Sequence, residues 1–269
     1  MFLLLLEPLP VHASSSIVQQ NSGGCSENLG QCLADLGLVH ITFPSGLTAG
    51  NTIVVGIALT PPGIVNGLTS ISDSKGFSYT QAVNVCVGAL CAYIYYATAS
   101  SGGADTVTVS VVNHIDAGEQ GGVDAYIYEV SGITTSGMTM ATGQGSGSGS
   151  QSVFTSSSAS FSSGAFLLGV ISNTYNEITF SAGGGFIPST QKSGSGDGWA
   201  EYSDPASSPT NFPATIGTGV TRSWVEAGVV FPPSSNPPIP EYPLGLPLLA
   251  IFMILAFSVI RRRTVTKQK

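Results

Sequence analysis

Positive charge is what this chain has least of. Between Ser14 and Pro240 only Lys75, Lys192 and Arg222 are basic, against thirteen acids, a formal excess of ten negative charges. Such a surface repels nucleic-acid phosphate and lacks the basic stripe that phosphate binding needs, so nucleic acid is excluded as a partner. Histidine is scarce as well. Beyond the first thirteen residues only His40 and His114 are present. The letters Gly145-Ser146-Gly147-Ser148-Gly149 match a nucleophile elbow only formally, in a low-complexity stretch, and no strand-to-helix turn carries that motif. This inventory leaves no nucleophilic triad. Asn-x-Ser/Thr acceptors are missing, which argues against heavy N-glycosylation. No segment before the tail shows a sustained helical period.

Cysteine is sparse but even in number. Cys25, Cys32, Cys86 and Cys91 fit two disulfides formed in an oxidising compartment. Gly88-Ala89 between Cys86 and Cys91 suits a tight hairpin, so the local pairings 25–32 and 86–91 are expected among the three possible connectivities. Neither pair forms CxxC and no histidine cluster accompanies them, which argues against zinc.

What the chain does have is β-branched and aromatic runs cut at short intervals by Gly, Ser, Asn and Pro. Thr52–Leu59, Phe77–Val83, Cys91–Thr98, Thr106–Val112, Val123–Val130, Ala165–Ser172 and Ser223–Phe231 read as strands. Thr106, Thr108 and Ser110 alternate with Val107, Val109 and Val111, the pattern of one wet and one dry face. Many short strands with few helices predict an all-β, antiparallel β-sandwich of jelly-roll or Ig-like form. Gly143–Ser150 (GQGSGSGS) reads as a long surface loop within that sandwich.

The two ends carry an address. Phe2–Leu6 followed by Val11-His12-Ala13 reads as a signal peptide over residues 1–13 with a truncated start. A disulfide-containing segment, 14–36, precedes the sandwich ectodomain, 37–232. Residues 233–243 are proline-rich. The apolar run Leu244–Ile260 would cover ~26 Å as a helix, near the ~30 Å of a bilayer core. Arg261, Arg262 and Arg263 open a basic tail, 261–269, that favours the cytoplasmic side. The expected location is the extracellular face of the cell membrane, single-pass, with the C-terminus cytoplasmic before any processing.

Pro240-Glu241-Tyr242, the apolar helix and the basic cluster together resemble archaeal PEF-CTERM-type sorting signals, the substrates of exosortases and archaeosortases. The resemblance implies a membrane transpeptidase that cuts near Pro240–Tyr242 and transfers the new C-terminus to an anchor. Tyr242 stands where that variant has Phe. The ectodomain is similar to secreted and phage-associated β-sandwich modules. That likeness rests on Leu47-Thr48-Ala49-Gly50-Asn51, Asp73-Ser74-Lys75-Gly76-Phe77-Ser78-Tyr79-Thr80, the strand holding Tyr93, Tyr95 and Tyr96, Asp105–Val109, and Glu129-Val130-Ser131-Gly132. It implies a fold rather than an activity.

Three chemistries are open to the side chains. Glu129 and Glu226 lie in apolar strands, where a carboxylate is costly unless satisfied. They are either the two acids of a glycosidase or structural groups, Glu129 accepting from the Ser131-Gly132 turn and Glu226 on a wet face beside Trp224. Asp73, Asp116 with Glu119, and Asp197 with Glu201 and Asp204 offer hard oxygens for calcium, or ordinary turns. Tyr126 with Tyr128, and Tyr93 with Tyr95, share strand faces as a glycan platform would, or as core pairs do. The reading that ranks first is a non-enzymatic surface protein with a structural or adhesion role and no cofactor. Its expected partners are the membrane, a sorting transpeptidase, and envelope glycans or surface proteins. A glycan- or calcium-binding recognition module ranks second and a glycoside hydrolase third.

Overall fold

The computed structural model describes residues 13–26, 37–60, 67–111, 122–154, 163–174, 179–189, 198–206 and 212–235. All of them belong to one compact unit, Met1–Ser235; Asn236–Lys269 forms a second. Among the described residues no helix is long and apolar enough to cross a membrane. The sorting motif, the apolar run and the arginine cluster lie outside the described residues, as do the leader, Cys32, Asp116, Glu119, His114 and Asp197.

The described residues are all-β, and every strand pairing among them is antiparallel. Among the described residues fourteen strands form: β1 (Ser16–Ser26), β2 (Leu38–Thr42), β3 (Thr52–Thr60), β4 (Leu68–Asp73), β5 (Thr80–Val87), β6 (Leu90–Thr98), β7 (Thr106–Val111), β8 (Gly122–Ser131), β9 (Thr139–Phe154), β10 (Ala165–Asn173), β11 (Thr179–Ala182), β12 (Ile187–Pro188), β13 (Gly198–Ala206) and β14 (Pro213–Phe231). They make three sheets. The central one runs β1-β8-β3-β6-β5, a smaller one β2-β7-β4, and the third β11-β14-β10-β13-β12 with β9 also on β14. In the first half of the chain the pairs nest, β1 with β8, β2 with β7 and β3 with β6.

A two-layer sandwich has one dry face per sheet. Here the central sheet is dry on both. Val55, Ile57 and Ile127 face Val39, Ile41 and Val109 of the small sheet. Their strand neighbours Val54, Tyr128 and Val130 face Phe166, Val170 and Phe231 of the third sheet. β3 and all but the last residue of β8 are therefore buried. β7 keeps the predicted alternation, because its sheet has only one dry side. The expected sandwich thus becomes three stacked sheets.

The third sheet covers its own outer face. The register of β14 breaks between Thr218 and Arg222. Ala214 and Ile216 from its first part pack on Ile171 of β10 and on Trp224 from its second part. β14 therefore doubles back, carrying β11 and the end of β9 as a ribbon over the sheet. Gly143–Ser150, expected as a loop, is part of β9 and paired with β14. The reason is steric: a Cβ on Gly145 would lie 2.6 Å from the Trp224 ring, so the indole needs bare backbone beneath it. Gly228 serves Phe212 in the same way, with a Cβ-to-ring distance of 2.5 Å.

Substituting Gly228→Ala should therefore force the Phe212 ring aside and lower stability by about 1–3 kcal/mol in a urea melt. Gly184→Ala, where a Cβ meets nothing within 4 Å, should leave the midpoint unchanged. Equal effects would refute the close contact.

Candidate functional site

A chain this poor in charge still buries several carboxylates, and a buried carboxylate must be paired, hydrogen-bonded or protonated. Glu129, on β8, is fully buried on the side of the small sheet. Its Oε1 accepts from the Thr48 N–H and from Asn51 Nδ2, both at 2.7 Å, and its Oε2 accepts from Gln19 Nε2 at 2.6 Å. Gln19 Oε1 in turn accepts from the Ser45 N–H at 2.8 Å and the Ser45 hydroxyl at 2.9 Å. The donors come from β1 and the 45–51 loop, not from the expected Ser131-Gly132 turn. Sequence proximity suggested the wrong partner, because strand pairing brings Gln19 opposite Glu129.

Asp204 also acts as a tie. It accepts from the Ser15 hydroxyl and, at 2.5 Å, from the Ile17 N–H, which fastens the start of β1 to β13. Asp73 Oδ1 accepts from the Lys75 N–H at 2.8 Å and the Phe77 N–H at 3.1 Å, closing the turn after β4. Asp105, not singled out from the sequence, stands beside it and accepts from the Ser74 hydroxyl and the Thr106 N–H, each at 2.8 Å. The second oxygen of Asp105 accepts no hydrogen bond. Burial, then the charge of Asp73 and a side-chain hydrogen bond with it, then the charge of Asp105, push the Tyr79 phenol well above its ordinary range. No three His, Cys, Asp or Glu side chains gather as a metal site among the described residues.

Glu226 is not on a wet face. It is fully buried and points to the outer side of the third sheet, away from Glu129, so those two acids do not form a pair. Its neighbour is Glu201 of β13, also fully buried. Gly169 of β10 lies between them: a Cβ there would be 3.3 Å from both Glu201 Cγ and Glu226 Oε1, and 3.2 Å from the Phe212 ring. Glu201 Oε2 accepts the Gly183 N–H at 2.9 Å. The other three oxygens have no hydrogen-bond partner. Burial pushes the Glu201 carboxyl up to about 8, with the Gly183 N–H working against it. Burial, then the proximity of Glu201, pushes Glu226 well above the usual carboxylate range. Both glutamates stood out in the sequence, Glu226 for its apolar strand. Nothing local signalled that a crossover would bring them together.

The tyrosines divide. Tyr126 and Tyr128 are buried in the second core, so they do not form a surface platform. Their hydroxyls reach across to the third sheet, Tyr126 donating to the Gly198 carbonyl at 2.8 Å and Tyr128 bonding the Ser189 hydroxyl. A sequence of alternating aromatics cannot tell a wet face from a dry one when both faces of the sheet are covered. Tyr93 and Tyr95, on β6, are half-buried where the small sheet gives less cover, their ring centroids 6.4 Å apart at 31°. Gln81 and Asn84 on β5 stand opposite them in register and are exposed. Tyr95 donates to Gln81 Oε1 at 2.7 Å, and Gln81 Nε2 to Asn84 Oδ1 at 3.3 Å. The expected Cys86–Cys91 disulfide closes the far end of this hairpin. The 25–32 pairing lies outside the described side chains. His40 is an exposed cross-strand partner of Thr108, at 3.0 Å.

No family model and no curated protein matches the chain. Among solved structures it is similar to a conserved protein of unknown function, PA5104 of Pseudomonas aeruginosa PAO1. That likeness has 10% identity over 72% of this chain and 80% of the other, with a TM-score of 0.24.

Removing the Glu129 carboxylate takes the acceptor from three donors, the buried Gln19 amide and the part-buried Thr48 N–H and Asn51 amide. Glu129→Ala should cost about 3 kcal/mol or more in chemical denaturation. A loss below about 1 kcal/mol would show that the clamp is not a stabilising element.

Proposed function

We propose that the chain is an exported envelope protein, a β-sheet ectodomain held at the outer face of the membrane by its C-terminal segment, with a structural or adhesive role. The observation that carries the non-catalytic part is how its acids are used. Glu129 and Asp204 are spent on fastening strands and layers to one another, and Asp73 on closing a turn. The nested strand pairs support the jelly-roll form of the first half over an Ig-like one. Anchoring rests on the sequence: Pro240-Glu241-Tyr242, the Leu244–Ile260 run and Arg261–Arg263 are ordered as a sorting signal requires. Mass spectrometry of the native protein should then find a C-terminus near Pro240–Tyr242. Recovery of the intact tail to Lys269 as the main species would replace sorting by a plain membrane helix.

A second reading is glycan recognition. Two half-exposed tyrosine rings beside two amide side chains offer stacking together with a polar edge, which suits a sugar. Calcium fits less well. Asp73 and Asp105 could present at most one further oxygen each, short of the roughly six to eight that calcium takes. A thermal-shift screen of the oxidised protein against envelope polysaccharides and calcium separates these readings. A ligand at ~100 times its dissociation constant should add about 2.7 kcal/mol to folding stability. The glycan reading expects a polysaccharide shift that Tyr93→Ala with Tyr95→Ala removes, and a flat panel on a cooperative melt would sink it.

A further inference from the structure

The Glu201–Glu226 pair serves none of these roles, and its surroundings define a different one. Two carboxyls lie side by side on the outer face of the third sheet, under the ribbon formed by 179–182 and 213–217. Phe212 closes over them, and the ribbon itself supplies the Gly183 N–H that Glu201 accepts. No cation offsets them within the described elements. β9, β10, β11 and β12 carry no Asp, Glu, His, Lys or Arg. On β13, Tyr202 packs inward against Tyr128 and Asp204 is bonded to β1. On β14, Arg222 is half-buried at the bend, with Trp224 between it and Glu226 along the strand, and the charge that acts on Glu226 is that of Glu201. Two adjacent buried carboxyls without a counter-charge are tolerated only while they carry protons.

We propose that Glu201 and Glu226 form a proton-operated latch: protonated, they let the ribbon close over the outer face, and their ionisation releases it. The linkage has one sign. With the ribbon open both groups are hydrated and titrate near the ordinary ~4.3 of a glutamate. Closed, burial pushes the Glu201 carboxyl up to about 8 and holds Glu226 well above the usual carboxylate range. The closed state therefore binds more protons. Its advantage is full below ~4.3 and is lost as pH rises through about 8. Opening would bare Trp199, Trp224, Ile171 and Leu167, an apolar face.

The two tryptophans of the chain report this directly. Trp224 packs under Ile216, and Trp199 stacks on Phe180 of the ribbon with ring centroids 5.0 Å apart at 12°. Tryptophan emission and hydrogen exchange of 179–182 and 213–217 would be followed on the full chain from pH 4.5 to 9.5, with exchange corrected for its intrinsic pH dependence. The latch expects the ribbon's opening constant to rise with pH by up to about tenfold per unit for each titrating carboxyl. It also expects emission to shift red while β3 and β8 stay protected. Glu201→Gln with Glu226→Gln keeps both groups neutral and should flatten the dependence. If that double variant fails to fold, Glu226→Gln alone should reduce the slope. A flat wild-type profile would overturn the latch. So would a slope that persists in the glutamine variants, protection lost from all strands at once, or an alkaline opening that added calcium alone reverses.

Discussion

A sheet buried on both faces leaves its polar groups no water to fall back on, and much of this protein follows from that condition in β3 and β8. Each polar side chain on those strands has to find a partner on an adjacent strand, in a loop or in a neighbouring layer. Glu129 is held by donors from β1 and the 45–51 loop, and the hydroxyls of Tyr126 and Tyr128 cross to the third sheet. These contacts stabilise only because both ends are satisfied; losing one end would leave a buried group unpaired at full desolvation cost. The same condition sets the register, since a one-residue slip would point Glu129 into the apolar core shared with Phe166 and Phe231.

The third sheet meets the problem of its other face without a further domain. β14 is long enough to pair along one half and fold its other half over the result. Close approach of the two layers requires backbone without side chains at the contact points, and glycines at 145, 169 and 228 provide it. The buried acid pair is a consequence of this cover. On an open sheet, Glu201 and Glu226 would be ordinary solvated carboxylates; under the ribbon they become groups whose charge the structure resists.

Legibility in the sequence followed the strength of the local signal. β3, β6, β7, β8 and β10 are rich in β-branched and aromatic residues and were readable as strands nearly to their ends. The Cys86–Cys91 hairpin was readable from its Gly-Ala turn. β9 was not, because Gly143–Ser150 has the composition of a linker and becomes a strand only by pairing with β14 under Trp224. The candidate sites fared according to distance. Asp73 closes a turn with residues two and four positions on, a contact that composition suggests. Asp105 beside it, and Glu201 beside Glu226, join segments far apart in the chain, where no spacing rule applies.

By itself the sequence determined the class of structure: apolar strands without a helical period, and a hairpin disulfide. Those properties are local or compositional, and they survive any arrangement of the strands. Which faces are dry, which tyrosines remain accessible and which acids meet were decided only by the stacking of three sheets and the folding of β14. Burial belongs to the assembled layers, and a carboxyl learns whether it can hold a charge only when the layer above it is in place.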